Sequence, residues 1–356
     1  MERAEPEPVL VSRRAALRAG VATGVLGASG ALGAAGCGGG GGGGAGHPGG
    51  GASSPTASGA APGAPTSRAS GTAAAGLPAT RPWVPGPGEI QPDVKLRAVQ
   101  LVEALGSWPS GGSGTAAAQA RVTALGGLDP ALADQAGPLL PSADRAALQV
   151  IDAQYGGILA DSASVLVVCD QWTGAAGSPS AVARGGTTVD VRLSAAAPRW
   201  TVTALHPAAP GPVAATVSAA AGRVLANSRI ELPPAALADV RSGAVHDSVL
   251  EAMLTLARTY TMSVSVVRSG HPLDVFGTDR PSDHPLGRAF DVWRINGLTV
   301  VDPGTPHDLV DGFMRAAAAA GSYNVGGPRQ LSGGGTPNQF FTDDTHHDHV
   351  HAGFTG

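Results

Sequence analysis

Apolar positions along the middle of the chain change period twice. Val94, Ala98, Leu101, Val102 and Leu105 fall three and four apart, which predicts a first amphipathic helix. The same reading places a second helix over Ala116–Leu125. It places a third over Ser142–Tyr155, with Ala147, Leu148, Ile151 and Tyr155 on one face. From Val165 the pattern is no longer helical. Val165–Cys169 is an unbroken apolar run of strand length. Val189, Val191 and Leu193 alternate with Asp190 and Arg192, and Trp200, Val202 and Ala204 alternate with Thr201 and Thr203, which predicts two half-buried antiparallel strands joined over Ala195–Arg199. Helices followed by strands indicate an α+β unit with the helices on one face of the sheet.

Pro207-Ala-Ala-Pro210-Gly-Pro212 punctuates the chain and predicts a link between two modules, 90–206 and 222–356. In the second, Ser248-Val249-Leu250-Glu251 has the form of a capping box ahead of a helix with Val249, Met253, Leu256 and Tyr260 in one stripe. Ser263–Val267 reads as a strand. Ala289–Ile295 and Leu298–Val301 read as a hairpin about Asn296-Gly297. Asp308–Ala320 reads as a helix with Val310, Phe313, Met314 and Ala317 inward, and a last strand carries His349-Val350-His351. The C-terminal module is thus expected to be α+β around an antiparallel sheet.

Composition matters chiefly before residue 90. Gly (53) and Pro (29) are in excess, and most of that excess lies in the first eighty-odd positions. Residues 38–85 are Gly, Ala, Ser, Thr and Pro with almost no charge, too poor in apolar side chains to bury a core, so a disordered tether is expected. About 45 residues of such coil reach about 35–40 Å. Ahead of it, Arg13-Arg14 precedes a weakly apolar run ending at Cys37, and residues 1–37 read as a twin-arginine export signal. Ala34-Ala35-Gly36-Cys37 resembles a lipobox, with alanine where the pattern prefers leucine. That resemblance implies lipidation of Cys37 and an anchor at the outer face of the cytoplasmic membrane; simple cleavage would give secretion. Cys169 is then left as a buried thiol. The net charge is −4 with no basic stripe, which speaks against a nucleic-acid partner.

The chemistry concentrates in Ser282-Asp-His284-Pro-Leu-Gly287-Arg288-Ala-Phe-Asp291 and in Asp348-His349-Val350-His351. His349 and His351 are two apart and share a face of an ideal strand. His284, Asp291 and His351 supply two nitrogens and one oxygen, the ligand count of a catalytic zinc site with one open position. A histidine-rich tail would explain His346, His347, His349 and His351 but not the distant His284/Asp291 pair.

The two motifs together resemble the zinc D-alanyl-D-alanine metallopeptidases, of the fold shared by VanX-type dipeptidases and the hedgehog signalling domain; the resemblance covers about 256–354. It implies a zinc peptidase acting on peptidoglycan stem peptides. It implies that Asp348, three before His351, is the general base, and that His349 steadies a developing oxyanion. Ser282 and His347 are candidates for orienting the ligands. Relatives carry Ser-Gly-x-Arg upstream of the first ligand; here Ser269-Gly270-His271-Pro272 has proline in the arginine's place, which leaves Arg268, Arg280 or Arg288 to meet the substrate, Arg268 first. The rival expectation is a non-catalytic zinc-binding module of the same fold. For residues 90–206 only the order of elements resembles the NTF2-like domains, with no motif in support.

Overall fold

A computed structural model describes residues 76–178 and 180–356, which lie in one compact unit, Arg68–Gly356. The predicted signal, Cys37 and most of the predicted tether lie outside the described residues.

The first layer begins with α1 (Pro92–Gly106), whose proline at the first turn gives up no hydrogen bond. α2 (Thr115–Ala124) and two short 3-10 turns (Pro130–Gln135, Gly137–Leu139) follow. Then comes an antiparallel meander in chain order: β1 (Arg145–Ile158), β2 (Ser162–Gly174), β3 (Val182–Ser194) and β4 (Thr201–Pro207). The helix expected over Ser142–Tyr155 is therefore β1, a strand. Two bulges explain the misreading: Ile151 and Gly156 have no partner in the β1–β2 register. Each extra residue turns a spacing of two into three, so inward positions fall at 148, 150, 153, 155 and 158 and imitate a helical stripe. Those positions join Val94, Leu101, Leu105, Val165, Val167 and Cys169 in one core under the helices, with Cys169 buried and unpaired as expected.

The second layer comprises α3 (Ala219–Leu225), β5 (Ile230–Glu231), α4 (Pro234–Arg241), α5 (Asp247–Leu256), β6 (Met262–Val266), β7 (Ala289–Ile295), β8 (Leu298–Thr299), α6 (His307–Ala319), β9 (Asn324–Gly326), β10 (Phe340–Phe341) and β11 (Val350–Gly353). The sheet runs β10-β9-β11-β7-β6-β5, with β8 on β7. Its middle is antiparallel as expected, but it is a mixed sheet: β5 runs parallel to β6 and β10 parallel to β9. The β5–β6 pair has the helical crossover that parallel strands require, in α4 and α5. Asn296 and Gly297 have φ of 51° and 83°, the left-handed pair of a tight hairpin turn. The capping box does not form. α5 starts at Asp247 after His246 with no side-chain cap, and the Ser248 hydroxyl is buried without a partner.

The back of the meander is not a surface. Leu166 and Val168, on the face away from the helical core, are fully buried. A Cβ on Gly157 would fall 2.1 Å from the Phe276 side chain, so β1 has no room for one where the 268–284 loop crosses it. The Pro207–Pro212 stretch connects two layers that pack on each other.

Candidate metal centre

β7 and β11 are antiparallel neighbours, and Asp291 and His351 stand directly opposite one another. Cross-strand side chains at such positions touch. His284 reaches the same point from the loop after β6. Its Nδ1 donates to the Val267 carbonyl at 2.9 Å, which fixes the ring and turns Nε2 toward the other two residues. That Nε2 lies 3.1 Å from Asp291 Oδ1 and 3.2 Å from His351 Nδ1, and the third side of the triangle is 3.0 Å. Four ligands about zinc at 2.0–2.1 Å stand about 3.3–3.4 Å apart, so these atoms are spaced to share one small cation. His284 and Asp291 are fully buried and His351 nearly so.

The electrostatics suit a cation. Burial pushes His351 down to about 4, against the pull of Asp291, so it is neutral at pH 7. Burial alone would raise Asp291, yet the imidazoles of His284 and His349 and the hydrogen bonds it accepts hold it well below the usual carboxylate range. His271, unassigned from the sequence, stacks on His284 with ring centroids 4.1 Å apart and donates through Nδ1 to the Pro272 carbonyl. His271, His284 and Asp291 each offer a ligand atom within 4.8 Å of the others, a candidate metal-binding cluster that His351 joins through the contacts above.

Around these atoms lies a second set of contacts, and much of it comes from the first layer. Gln154 of β1 donates through Nε2 to Asp291 Oδ2 at 2.7 Å and accepts on Oε1 from the Ser265 hydroxyl. His349 has Nε2 3.8 Å from the same Oδ2, and its Nδ1 donates to Asp348 Oδ1 at 2.6 Å. The other Asp348 oxygen accepts from Lys95 Nζ of α1 at 2.6 Å and from the Tyr155 amide at 3.0 Å. Lys95, fully buried, also pairs with Glu89 and lies over the Tyr155 ring. Glu89, His347 and Asp348 also have metal-like spacing, but the Lys95 ammonium lies between the two carboxylates.

The expected site residues therefore separate. His284, Asp291 and His351 converge. Asp348 does not reach them: both its oxygens are engaged, and although burial would raise it, the Lys95 ammonium and His349 bring it far down. His349 stands between Asp348 and the centre, with its own pKa raised because the Asp291 and Asp348 carboxylates outweigh the effect of burial. Ser282 accepts from the His284 amide at 3.4 Å and lies 3.3 Å from His271 Nδ1, so it braces the ligand loop. His347 faces elsewhere, accepting from the Ile90 amide and donating to the Asp344 carbonyl, so it orients the approach to α1 and not the metal ligands.

A cleft of about 670 Å³ opens on His284, His349 and His351, with Phe276, Phe341 and Arg280 on its walls. Arg268 is outside it. Its guanidinium reaches the Pro210 carbonyl and Asp239, and it lines a neighbouring cavity of about 720 Å³. Of the three candidate arginines, only Arg280 lines the metal-facing cleft. Comparison with protein-family models, with curated proteins and with solved structures finds no match for this chain.

Proposed function

We propose that this chain is a zinc-dependent hydrolase of peptide amide bonds, of the D-alanyl-D-alanine metallopeptidase type that its two motifs resemble, acting on peptidoglycan stem peptides outside the cytoplasmic membrane. The observation that carries the reading is the triangle of His284 Nε2, Asp291 Oδ1 and His351 Nδ1, three buried candidate ligand atoms 3.0–3.2 Å apart, with the His284 ring oriented by its Nδ1 hydrogen bond to the Val267 carbonyl. A zinc ion held there supplies Lewis-acid polarisation of a scissile carbonyl and acidifies water. The chain's own residues supply the proton handling. His349 presents Nε2 near the centre while Asp348 holds its Nδ1–H, so the pair acts as an oriented imidazole with a buried carboxylate behind it. Asp348 keeps a part in this scheme, through His349 and not by direct contact. Arg280 is the cation placed to meet a substrate carboxylate. The export reading of Arg13-Arg14, with Cys37 as lipid anchor or with release, gives the address.

The tying of Asp348 to Lys95 also favours a second reading, a zinc-binding module without catalysis. One experiment separates them. Purified protein is assayed for zinc content and then incubated with cell-wall peptides, whose fragments are identified by mass spectrometry. Stoichiometric zinc with new amide-cleavage products is expected, both lost in His284→Ala, Asp291→Ala or His351→Ala. His349→Ala and Asp348→Ala are expected to keep zinc and to lower turnover by about 10²–10⁴-fold each. Full activity in His349→Ala with loss in Asp348→Ala would return the base to Asp348. Zinc without cleavage of any wall peptide would leave the binding module.

A further inference from the structure

Gln154 lies far from either motif, in the layer that carries no metal-type sequence pattern, yet its amide contacts a ligand carboxylate. It is 1% exposed. An ionised carboxylate only accepts, so the end of the amide facing Asp291 Oδ2 is the NH₂ group. The other end is engaged by the Ser265 hydroxyl of β6, which donates to Oε1 and lies 3.3 Å from the Asp291 carbonyl. The amide thus has one orientation, held from both sides. The bulge at Ile151 is what aims it. Val150 faces the helical core, and strict alternation would put 152 and 154 on that same face. The unpaired residue moves 153 and 155 there instead and turns Gln154 to the metal side.

We propose that Gln154 is a positioning residue of the metal centre. It holds Asp291 Oδ2 away from the cation, so that the carboxylate binds through Oδ1 alone and a coordination position stays free. This rests on the metal-centre reading above. A carboxylate with both oxygens unrestrained can close on a cation as a chelate and fill the place a substrate needs. With Oδ2 spent on a 2.7 Å hydrogen bond, the geometry left is two nitrogens and one oxygen. Contacts of this kind around a ligand carry about 10–100-fold in metal affinity.

The test uses the full chain, zinc titrated against a chromophoric competing chelator, and cobalt substituted for zinc as a spectroscopic probe. Gln154→Leu is expected to weaken zinc by about 10–100-fold. It is also expected to lower the intensity of the cobalt visible bands, since five-coordinate cobalt absorbs more weakly than four-coordinate. Ser265→Ala, which loosens the other end of the amide, is expected to shift both readings the same way by less. A purely structural role would lower the melting temperature of the metal-free protein and leave the cobalt spectrum of the loaded protein unchanged, and that result overturns the proposal. So does a folded Gln154→Leu protein whose cobalt spectrum and zinc affinity both match those of the wild type. Should Gln154→Leu not fold, Ser265→Ala decides alone, an unchanged affinity and spectrum counting against. Wild-type protein that takes up no zinc overturns the centre itself, a result distinct from a wild type that binds and a variant that binds equally well.

Discussion

Asp152 shows how the bulge that aims Gln154 also sets a cost. It follows Ile151 on the same turned segment, and its Oδ2 is sealed from solvent without a partner among the described residues. Burial pushes its carboxyl up to about 7, with the Lys95 ammonium acting against this and the Asp348 and Glu89 carboxylates reinforcing it. The sign of the consequence follows from linkage. Between the ordinary carboxylate pKa near 4 and about 7, the folded protein holds a proton that the unfolded chain has released, so this group's contribution to stability falls as pH rises through that window. Asp152→Asn removes the titration. Thermal melts are therefore expected to show the variant gaining on the wild type between pH 4 and pH 7, with the gain constant above that. A gain that shrinks as pH rises would place the proton elsewhere. At this scale the sequence was legible where motif and chemistry coincide: His284, Asp291 and His351, singled out by the two motifs, lie together. Asp348 was legible as a nearby carboxylate but not as one already spoken for, because its partner lies 253 residues away.

Elements supply those distant partners, and α1 is the clearest case. Its stripe of Val94, Ala98, Leu101, Val102 and Leu105 was readable from period alone, and it docks the helix on the meander. The same docking carries Lys95, the sole lysine of the chain, into a fully buried position between Glu89 and Asp348. A lone lysine next to an apolar stripe was a signal available in the sequence, but it names no partner. Breaking a buried pair costs more than the pair is worth, since the remaining charges keep their desolvation penalty. Lys95→Met, which preserves the length of the stem, is expected to lower stability by about 3–5 kcal/mol in urea unfolding monitored by circular dichroism. It is expected to spare the three ligand atoms, and so zinc stoichiometry, in whatever fraction stays folded. A loss under 1 kcal/mol would mean that water reaches Glu89 and Asp348 and that Lys95 is not their anchor. The β1 strand gives the opposite lesson about legibility. Its two bulges make a sheet element read as a helix, and no local propensity in Arg145–Ile158 corrects that without the β2 partner.

For the whole molecule, the sequence predicts two modules, 90–206 and 222–356, with all three expected ligands in the second. All three ligands do come from that part, and the proline-rich stretch over Pro207–Pro212 does separate two patterns of elements. The packing argues against independence. Asp291 would lose Gln154, Asp348 would lose Lys95 and the Tyr155 amide, and the loop bearing Phe276 would lose the strand it rests on. Two of those losses unpair a carboxylate, one a ligand and one beside the ligands, and the third frees the loop that leads to His284. A fragment comprising 222–356 is therefore expected to be poorly soluble, or, where it folds, to bind zinc more weakly than Gln154→Leu does in the full chain, because it lacks that contact and the others as well. Supplying residues 76–221 as a separate chain during expression is expected to recover solubility and affinity together, and co-purification of the two pieces gives the readout. A 222–356 fragment that is soluble and binds one zinc as tightly as the full chain would make the first layer an appendage, and the contacts of Lys95 and Gln154 would then have no bearing on the metal.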